Sequence, residues 1–386
     1  LIPIPFSFLR KPPPPRAAWP SRESRPEACD LVVVGGGVRA LAIAGGCAEQ
    51  GASVVLLAPG EIAGAADERA WPVVRACHAD PARMAAQADA PKRLEALARR
   101  ASRRILHDRT GCLALAGSEE AAAQLARAGE RASAAGIAAW MVPAREVAAL
   151  SPPLAARPSP GPALFEAAAT AVDPDGLAFA LADAAAAAGA ALYADAPVTS
   201  LARDGSTVIG VWLGEWFLRA GAVALADDLA AIRLVREGKG RLSLKREERL
   251  ALASERAAPA LGPAIVSGDV TLSRDLAGTI FASGPVEEDE VARQVVALAP
   301  ALADLRVLAT EPVTVWSGVD GRAQVGRADI PGLWLALGFG RDALSLAFAA
   351  ADHISAALAQ GGADDAFAAF APTRRPTASF ELELPG

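Results

Sequence analysis

Histidine, tyrosine and methionine are scarce in this chain of 386 residues, which holds three, one and two of them. His78, His107 and His353 share no metal-ligand spacing, so no metal is expected. The four cysteines, Cys29, Cys47, Cys77 and Cys112, form no CxxC pair. That argues against a zinc site or a disulfide framework and predicts reduced thiols in a cytoplasmic protein. Positive charge is in no excess: 38 Lys and Arg face 44 Asp and Glu, a formal net charge of -6, which argues against non-specific nucleic-acid binding. No apolar run approaches the roughly 18–20 residues of a membrane span. Internal repeats, a serine nucleophile elbow, a P-loop and a zinc-protease motif are also missing.

What is present is a globular composition, 52% hydrophobic and 21% charged, in a chain long enough for one large or two ordinary domains. Residues 1–29, with the run Lys11-Pro12-Pro13-Pro14-Pro15-Arg16, read as a disordered proline-rich extension. Their apolar residues precede the basic ones, the reverse of a secretory signal. Residues 366–386 read as a tail.

The strongest local pattern begins at Asp30. Leu31-Val32-Val33-Val34 is a buried parallel strand in pattern, Val38 to Gln50 has helical composition, and Ser53 to Leu57 is a second apolar strand. One helix's length of chain joins the strands, as in a βαβ crossover. Between them Gly35-Gly36-Gly37-Val38-Arg39-Ala40 reads G-x-G-x-x-A. Gly35 permits the tight turn, Gly37 lets backbone approach a pyrophosphate, and Ala40 lets helix and strand pack closely. Phosphates then sit on the helix N-terminus, where free N–H groups and the dipole favour negative charge. The acid that should hold a ribose at the end of the second strand is missing, because that end reads Leu57-Ala58-Pro59. Glu61 can replace it only if the loop folds back.

Further along, Pro81 to Arg131 is mostly helical with a short strand at Gly111 to Leu115, and Pro152 to Pro162 is a connector. A helix over Gly176 to Gly189 follows Asp173-Pro174-Asp175. Strands are predicted over Ala191–Asp195, Val198–Ala202, Thr207–Leu213, Ala222–Ala226, Leu242–Leu252 and Val270–Ser283. Glu287-Glu288-Asp289-Glu290 reads as a solvated helix start. Gly332 to Gly338 is a strand feeding a glycine turn, and Asp342 to Gln360 a long alanine-rich helix.

This order of elements resembles the FAD-dependent D-amino acid oxidase, glycine oxidase and sarcosine oxidase superfamily over roughly Asp30 to Gln360. Val172-Asp173-Pro174 with Leu177 fits the family's V-D-P-x-x-L segment, and Val73-Val74-Arg75 its isoleucine-isoleucine-arginine stretch. The resemblance implies an α/β fold, α+β overall: a Rossmann-type FAD-binding domain over 30–78, 163–228 and 312–365. It is interleaved with a substrate domain on an antiparallel sheet over 79–162 and 229–311. It also implies FAD as cofactor, with Gly35, Gly36, Gly37 and Ala40 at the pyrophosphate and Val198 at the adenine. Gly338, Phe339 and Gly340 then line the flavin, with Arg75 beside it. The substrate implied is a small amine or amino acid, oxidised at a C–N bond by hydride transfer to flavin.

Several motifs depart from the family at sensitive points. Asp227-Asp228 replaces a glycine turn beside the phosphates, where like charges repel. Leu242 to Glu248 resembles an L-P-L-x-P-x-R strand with Glu248 in place of arginine. Trp316-Ser317-Gly318-Val319 runs directly into Asp320-Gly321-Arg322, deleting an R-P-x-T-P stretch and its carboxylate-binding arginine. Gly340-Arg341-Asp342-Ala343 replaces a G-H-G turn. Arg322 and Arg341 are the candidate replacements for the lost anchor. Cys77-His78 adjoins the expected flavin, and relatives that attach flavin covalently use such residue types. Two other readings stay open: a degenerate homologue acting as a binding module, partner subunit or homo-oligomer, and an NAD(P)-dependent dehydrogenase.

Overall fold

The computed structural model describes residues 25–64, 67–155, 161–237, 242–257, 260–285, 287–360 and 365–374. Most of the expected N-terminal extension, part of the connector at 156–160 and the tail beyond 374 lie outside the described residues.

The apolar run at the start forms β1 (Ala28–Val34), whose last four residues are buried. The helix α1 (Val38–Glu49) follows directly, and β2 (Val54–Leu57) pairs parallel to β1, with Leu31 opposite Val54 and Val34 opposite Leu57. Strand Trp216–Leu225 pairs parallel to β1 on the other side, and strand Leu333–Leu337 extends the sheet beyond its end. With Ala191–Tyr193 beside β2, these strands make a five-stranded parallel core. Antiparallel strands Ser200–Asp204, Thr207–Leu213 and Gln324–Arg327 flank it. The parallel strands carry apolar side chains on both faces, and two separate cores cover the two sides of the sheet.

Small residues explain the close packing on one face. A side chain on Gly45 of α1 would stand 3.5 Å from Ala185 of helix Pro174–Ala187, and one on Gly46 would stand 3.6 Å from Ser355 of helix Ala343–Gln360. The alanine-rich sequence therefore packs three helices close together, where larger side chains would hold them apart.

The second sheet has eight strands, in the order Val307–Gly318, Leu244–Arg256, Thr279–Pro285, Val270–Arg274, Ala264–Ser267, Cys112–Leu115, Ala163–Glu166 and Ala139–Val142. All its neighbours are antiparallel except Ala264–Ser267 against Cys112–Leu115. Val270 to Ser283 is two strands, because Asp275 accepts the N–H groups of Ala277 and Thr279 and turns the chain. The paired ends of the long strands, Leu244 opposite Gly318, reach back to the first sheet, where the Gly318 N–H donates to Gly338 O at 3.2 Å. That contact sets the second sheet beside the C-terminal glycine turn. No helix among the described residues is long and apolar enough to cross a membrane.

Candidate functional site

The first glycine turn is tightly enclosed. Gly35 has φ +142°, and a side chain there would stand 2.9 Å from Ala226 O and 3.1 Å from the Ala40 Cβ. The loop after β2 does fold back: the Ala63 N–H donates to Gly36 O at 2.8 Å, and a Cβ on Gly36 would lie 2.6 Å from Glu61 O. It arrives with its backbone, however, and the Glu61 side chain remains exposed. At the end of β2 the Ala58 N–H donates to Tyr193 O, and Ala58 O accepts from Ala196. Val198 is buried, with its carbonyl held by Arg233 at 2.8 Å.

A helix start leaves N–H groups that need acceptors, and Gly37 offers no side chain to cap α1. A carboxylate fills the position. Glu68, on the short 3₁₀ turn Asp67–Ala70, accepts the Val38 N–H at 2.9 Å and is itself buried. The acidic pair Asp227-Asp228 also has partners. Asp227 accepts the Ala230 N–H at 2.7 Å, capping helix Asp228–Glu237. Asp228 accepts from Arg39 of α1 at 2.6 Å and from the Gly338 N–H at 2.7 Å. The Arg39–Asp228 pair is almost fully enclosed, at 6% and 3% side-chain exposure, and Arg39 also lies over the Phe339 ring. The residues expected at pyrophosphate and flavin, Gly35 to Ala40 and Gly338 to Gly340, are thus joined through Arg39 and Asp228.

Beyond the C-terminal glycine turn, against the second sheet, lies a cavity of about 810 Å³. Arg75, Gly340 and Arg341 line it; Gly35, Gly36, Gly37, Ala40, Val198 and Arg322 do not. Arg75 donates its N–H to Ser345 Oγ and its Nε to Glu166 at 3.4 Å. Burial lowers the pKa of Arg75, but the titratable groups around it, Cys112 first and then Glu166, outweigh burial and raise it. Arg341 donates to Gly268 O and Asp269, and lies 5.0 Å from the centre of the Trp71 ring. Arg322 is engaged elsewhere, in a two-bond pair with buried Asp80 at 2.6 and 3.0 Å. The turn Asp320-Gly321-Arg322 is closed by that pair and by Arg374 on Asp320 at 2.8 Å.

Two neighbours of Arg75 also reach the cavity. Burial pushes the Cys77 thiol up to about 11, so it is protonated at neutral pH. Burial first, then the positive charge of Arg83, pushes His78 down to about 3. Its Nδ1 accepts the Asp80 N–H at 2.8 Å, which puts the ring proton on Nε2. Arg83 in turn holds Asp342 at 2.6 Å; burial raises that carboxyl's pKa, but Arg83 and His78 bring it below the usual range.

Arg249 escaped the sequence reading. It is buried on the cavity wall, its guanidinium 4.2 Å from the Trp71 ring centre, and it donates to Glu247 at 2.6 Å and to Asp269 O. Burial, and then the charge of Arg341, lowers its pKa. The signal was present: Arg249 stands one residue beyond the position where the resembled motif has arginine and this chain has Glu248. Among the described residues no cluster of His, Cys, Asp or Glu has the makings of a metal site.

A family profile described as FAD dependent oxidoreductase, DAO, matches residues 30–357. No curated protein sequence matches the chain. Among solved structures, the L-proline dehydrogenase of P. horikoshii is similar with a TM-score of 0.82 at 20% identity, over 90% of this chain and 97% of that one. The glycine oxidase of Geobacillus kaustophilus gives 0.78 at 22%, over 90% and 99%. The iminodiacetate oxidase of Chelativorans sp. BNC1 gives 0.75 at 19%, over 90% and 100%. At these identities the likeness is one of fold.

Proposed function

The chain belongs to the DAO family of FAD-dependent oxidoreductases, and on that premise we propose that it oxidises a C–N bond of a small amine or amino acid, with the substrate held in the cavity against the second sheet. The observation that carries this reading is the paired guanidinium groups on that cavity's wall. Arg249 and Arg341 lie against the same Trp71 ring, at 4.2 and 5.0 Å from its centre. Arg249 is paired with Glu247 and Arg341 with Asp269, and a substrate carboxylate that takes the place of either acid gains charge-assisted hydrogen bonds from both guanidinium groups. They supply the anchor that the shortened loop after Val319 no longer carries.

The residues present fit the family's cofactor as a donor set. The Val38 N–H at the start of α1, the Arg39 guanidinium and the Gly338 N–H are groups suited to phosphate and other oxygen acceptors. Gly340, beside the cavity, would face the ring end of the group. When bound, FAD supplies the two-electron acceptor for the hydride leaving the carbon next to nitrogen. The chain's part is orientation and exclusion of water. Arg75 adds fixed positive charge, and neutral His78 presents a donor at Nε2 in place of a base.

Purified protein supplied with excess FAD should oxidise at least one member of a panel of amines and amino acids, read as anaerobic bleaching of the flavin band. A saturated flavoprotein that no member of the panel reduces would overturn this reading. One specific observation favours a second: Glu68 and Asp228 already occupy the cradle's donors, as expected of a homologue that keeps the fold as a binding module.

A further inference from the structure

We propose that Glu68 and Asp228 are built-in competitors for the cofactor's anionic groups, so that this chain folds without FAD and takes it up weakly and exchangeably. The inference rests on the reading that the two glycine turns form a dinucleotide cradle. Three donors converge there, the Val38 N–H, the Arg39 guanidinium and the Gly338 N–H. A cradle shaped only for a ligand leaves such groups to water until the ligand arrives. Here each meets a carboxylate at 2.6 to 2.9 Å, and both carboxylates are 3% exposed.

The two acids come from different parts of the chain. Glu68 reaches α1 from the 3₁₀ turn after β2, whereas Asp228 begins the helix that follows strand Trp216–Leu225. They converge on the two ends of one cradle, and Asp228 ties those ends together by bonding Arg39 and Gly338 at once. A carboxylate at a helix N-terminus satisfies the same N–H groups and dipole as a phosphate.

A diphosphate and these two carboxylates cannot share the donors. Like charges a few ångströms apart repel, and more strongly inside a protein than at its surface. Entry of the cofactor therefore requires Glu68 to release Val38 and Asp228 to release at least one of its partners. The affinity measured is that of the cradle less the cost of the exchange.

Titration of FAD, followed by quenching of its fluorescence, tests this on the full chain. Three variants are compared with the native protein: Glu68→Gln, which keeps an acceptor and drops the charge; Glu68→Ala, which frees the Val38 N–H; and Asp228→Asn. The native chain should lose flavin on dialysis and bind it again weakly. Glu68→Gln and Asp228→Asn should each bind roughly tenfold more tightly, and Glu68→Ala more tightly still. Thermal melts with and without FAD supply an independent readout: added FAD should raise the Tm of Glu68→Ala more than that of the native chain. They also identify a variant that fails to fold, and Glu68→Gln, which keeps an acceptor for the Val38 N–H, keeps the test alive if Asp228→Asn does so. Native protein holding stoichiometric FAD through dialysis overturns the competition and leaves the proposed function standing, as do variants that bind no more tightly than native. If no form takes up FAD at all, the cradle is not a dinucleotide site, and the proposed function fails with the inference.

Discussion

At the scale of single residues, the chemistry of this chain turns on charged groups placed where water is scarce. Asp228 shows how far a residue's meaning depends on its partners. Within the sequence it stands beside Asp227 as a source of repulsion. In the fold Asp227 caps a helix and Asp228 neutralises Arg39, a residue 189 positions away. Glu68 was equally illegible, since it accepts a backbone N–H 30 positions earlier and no motif marks it. The glycines of the first turn were legible because a positive φ and a close approach are local demands. His78 carries a prediction at this scale. Burial and Arg83 hold its folded pKa at about 3, against an ordinary 6.5. Between those values the unfolded chain binds the extra proton, so stability rises with pH: its full contribution is present above about 6.5 and is lost as pH falls toward 3. Asp80, Asp320 and Asp342, whose pKa values lie below the usual 3.8, lose their contributions only lower down. Urea denaturation from pH 7 to 4.5 should therefore show falling stability, and His78→Gln should flatten that slope. An unchanged slope would place the titration elsewhere.

Elements were easier to read where their signals were short and local. β1, α1 and β2 follow from an apolar run, three glycines and a second apolar run, and the observed pairing is parallel. Strand Val307–Gly318 went unread because its apolar residues alternate weakly and Pro312 interrupts it; the strand lies at the sheet's edge, where proline is tolerated. The contact between that edge and the C-terminal glycine turn demands a particular residue. Gly338 has φ +68°, and a side chain there would meet Leu244 Cδ2 at 2.6 Å and the Gly318 nitrogen at 2.9 Å. Gly51, after α1, has φ +88° with nothing within 4 Å, so it isolates the backbone term. Gly51→Ala should cost about 1 kcal/mol, from conformation alone. Gly338→Ala should cost roughly 2 kcal/mol or more, because strand and turn must also separate. Equal costs in chemical denaturation would mean that the contact yields freely.

The arrangement of the whole molecule brings Arg75, Arg249 and Arg341 to one cavity from three distant stretches of chain. Their convergence was legible only in part. Element order gave the fold, the motif around Val73 to Arg75 gave one arginine, and the altered turn at Gly340 gave Arg341 as a candidate. Arg249 emerged only once the second sheet had placed its wall against Trp71. If Arg249 and Arg341 hold a substrate carboxylate, their removal should discriminate between substrates by charge. A charge-assisted hydrogen bond is worth about 1.5–3 kcal/mol, so Arg249→Met should raise KM for an amino acid roughly tenfold to a hundredfold. KM for a neutral-tailed amine of similar size should change little, and kcat should change little for either substrate. Glu247 and Asp269, the acids left behind, are 36% and 63% exposed and can turn to water. Arg341→Gln, at a position 38% exposed and therefore less exposed to folding defects, should give the same pattern more weakly. Steady-state kinetics with FAD in excess separate the cases. Equal losses for both substrates would make the arginines structural, and no loss for the amino acid would place its carboxylate elsewhere in the cavity.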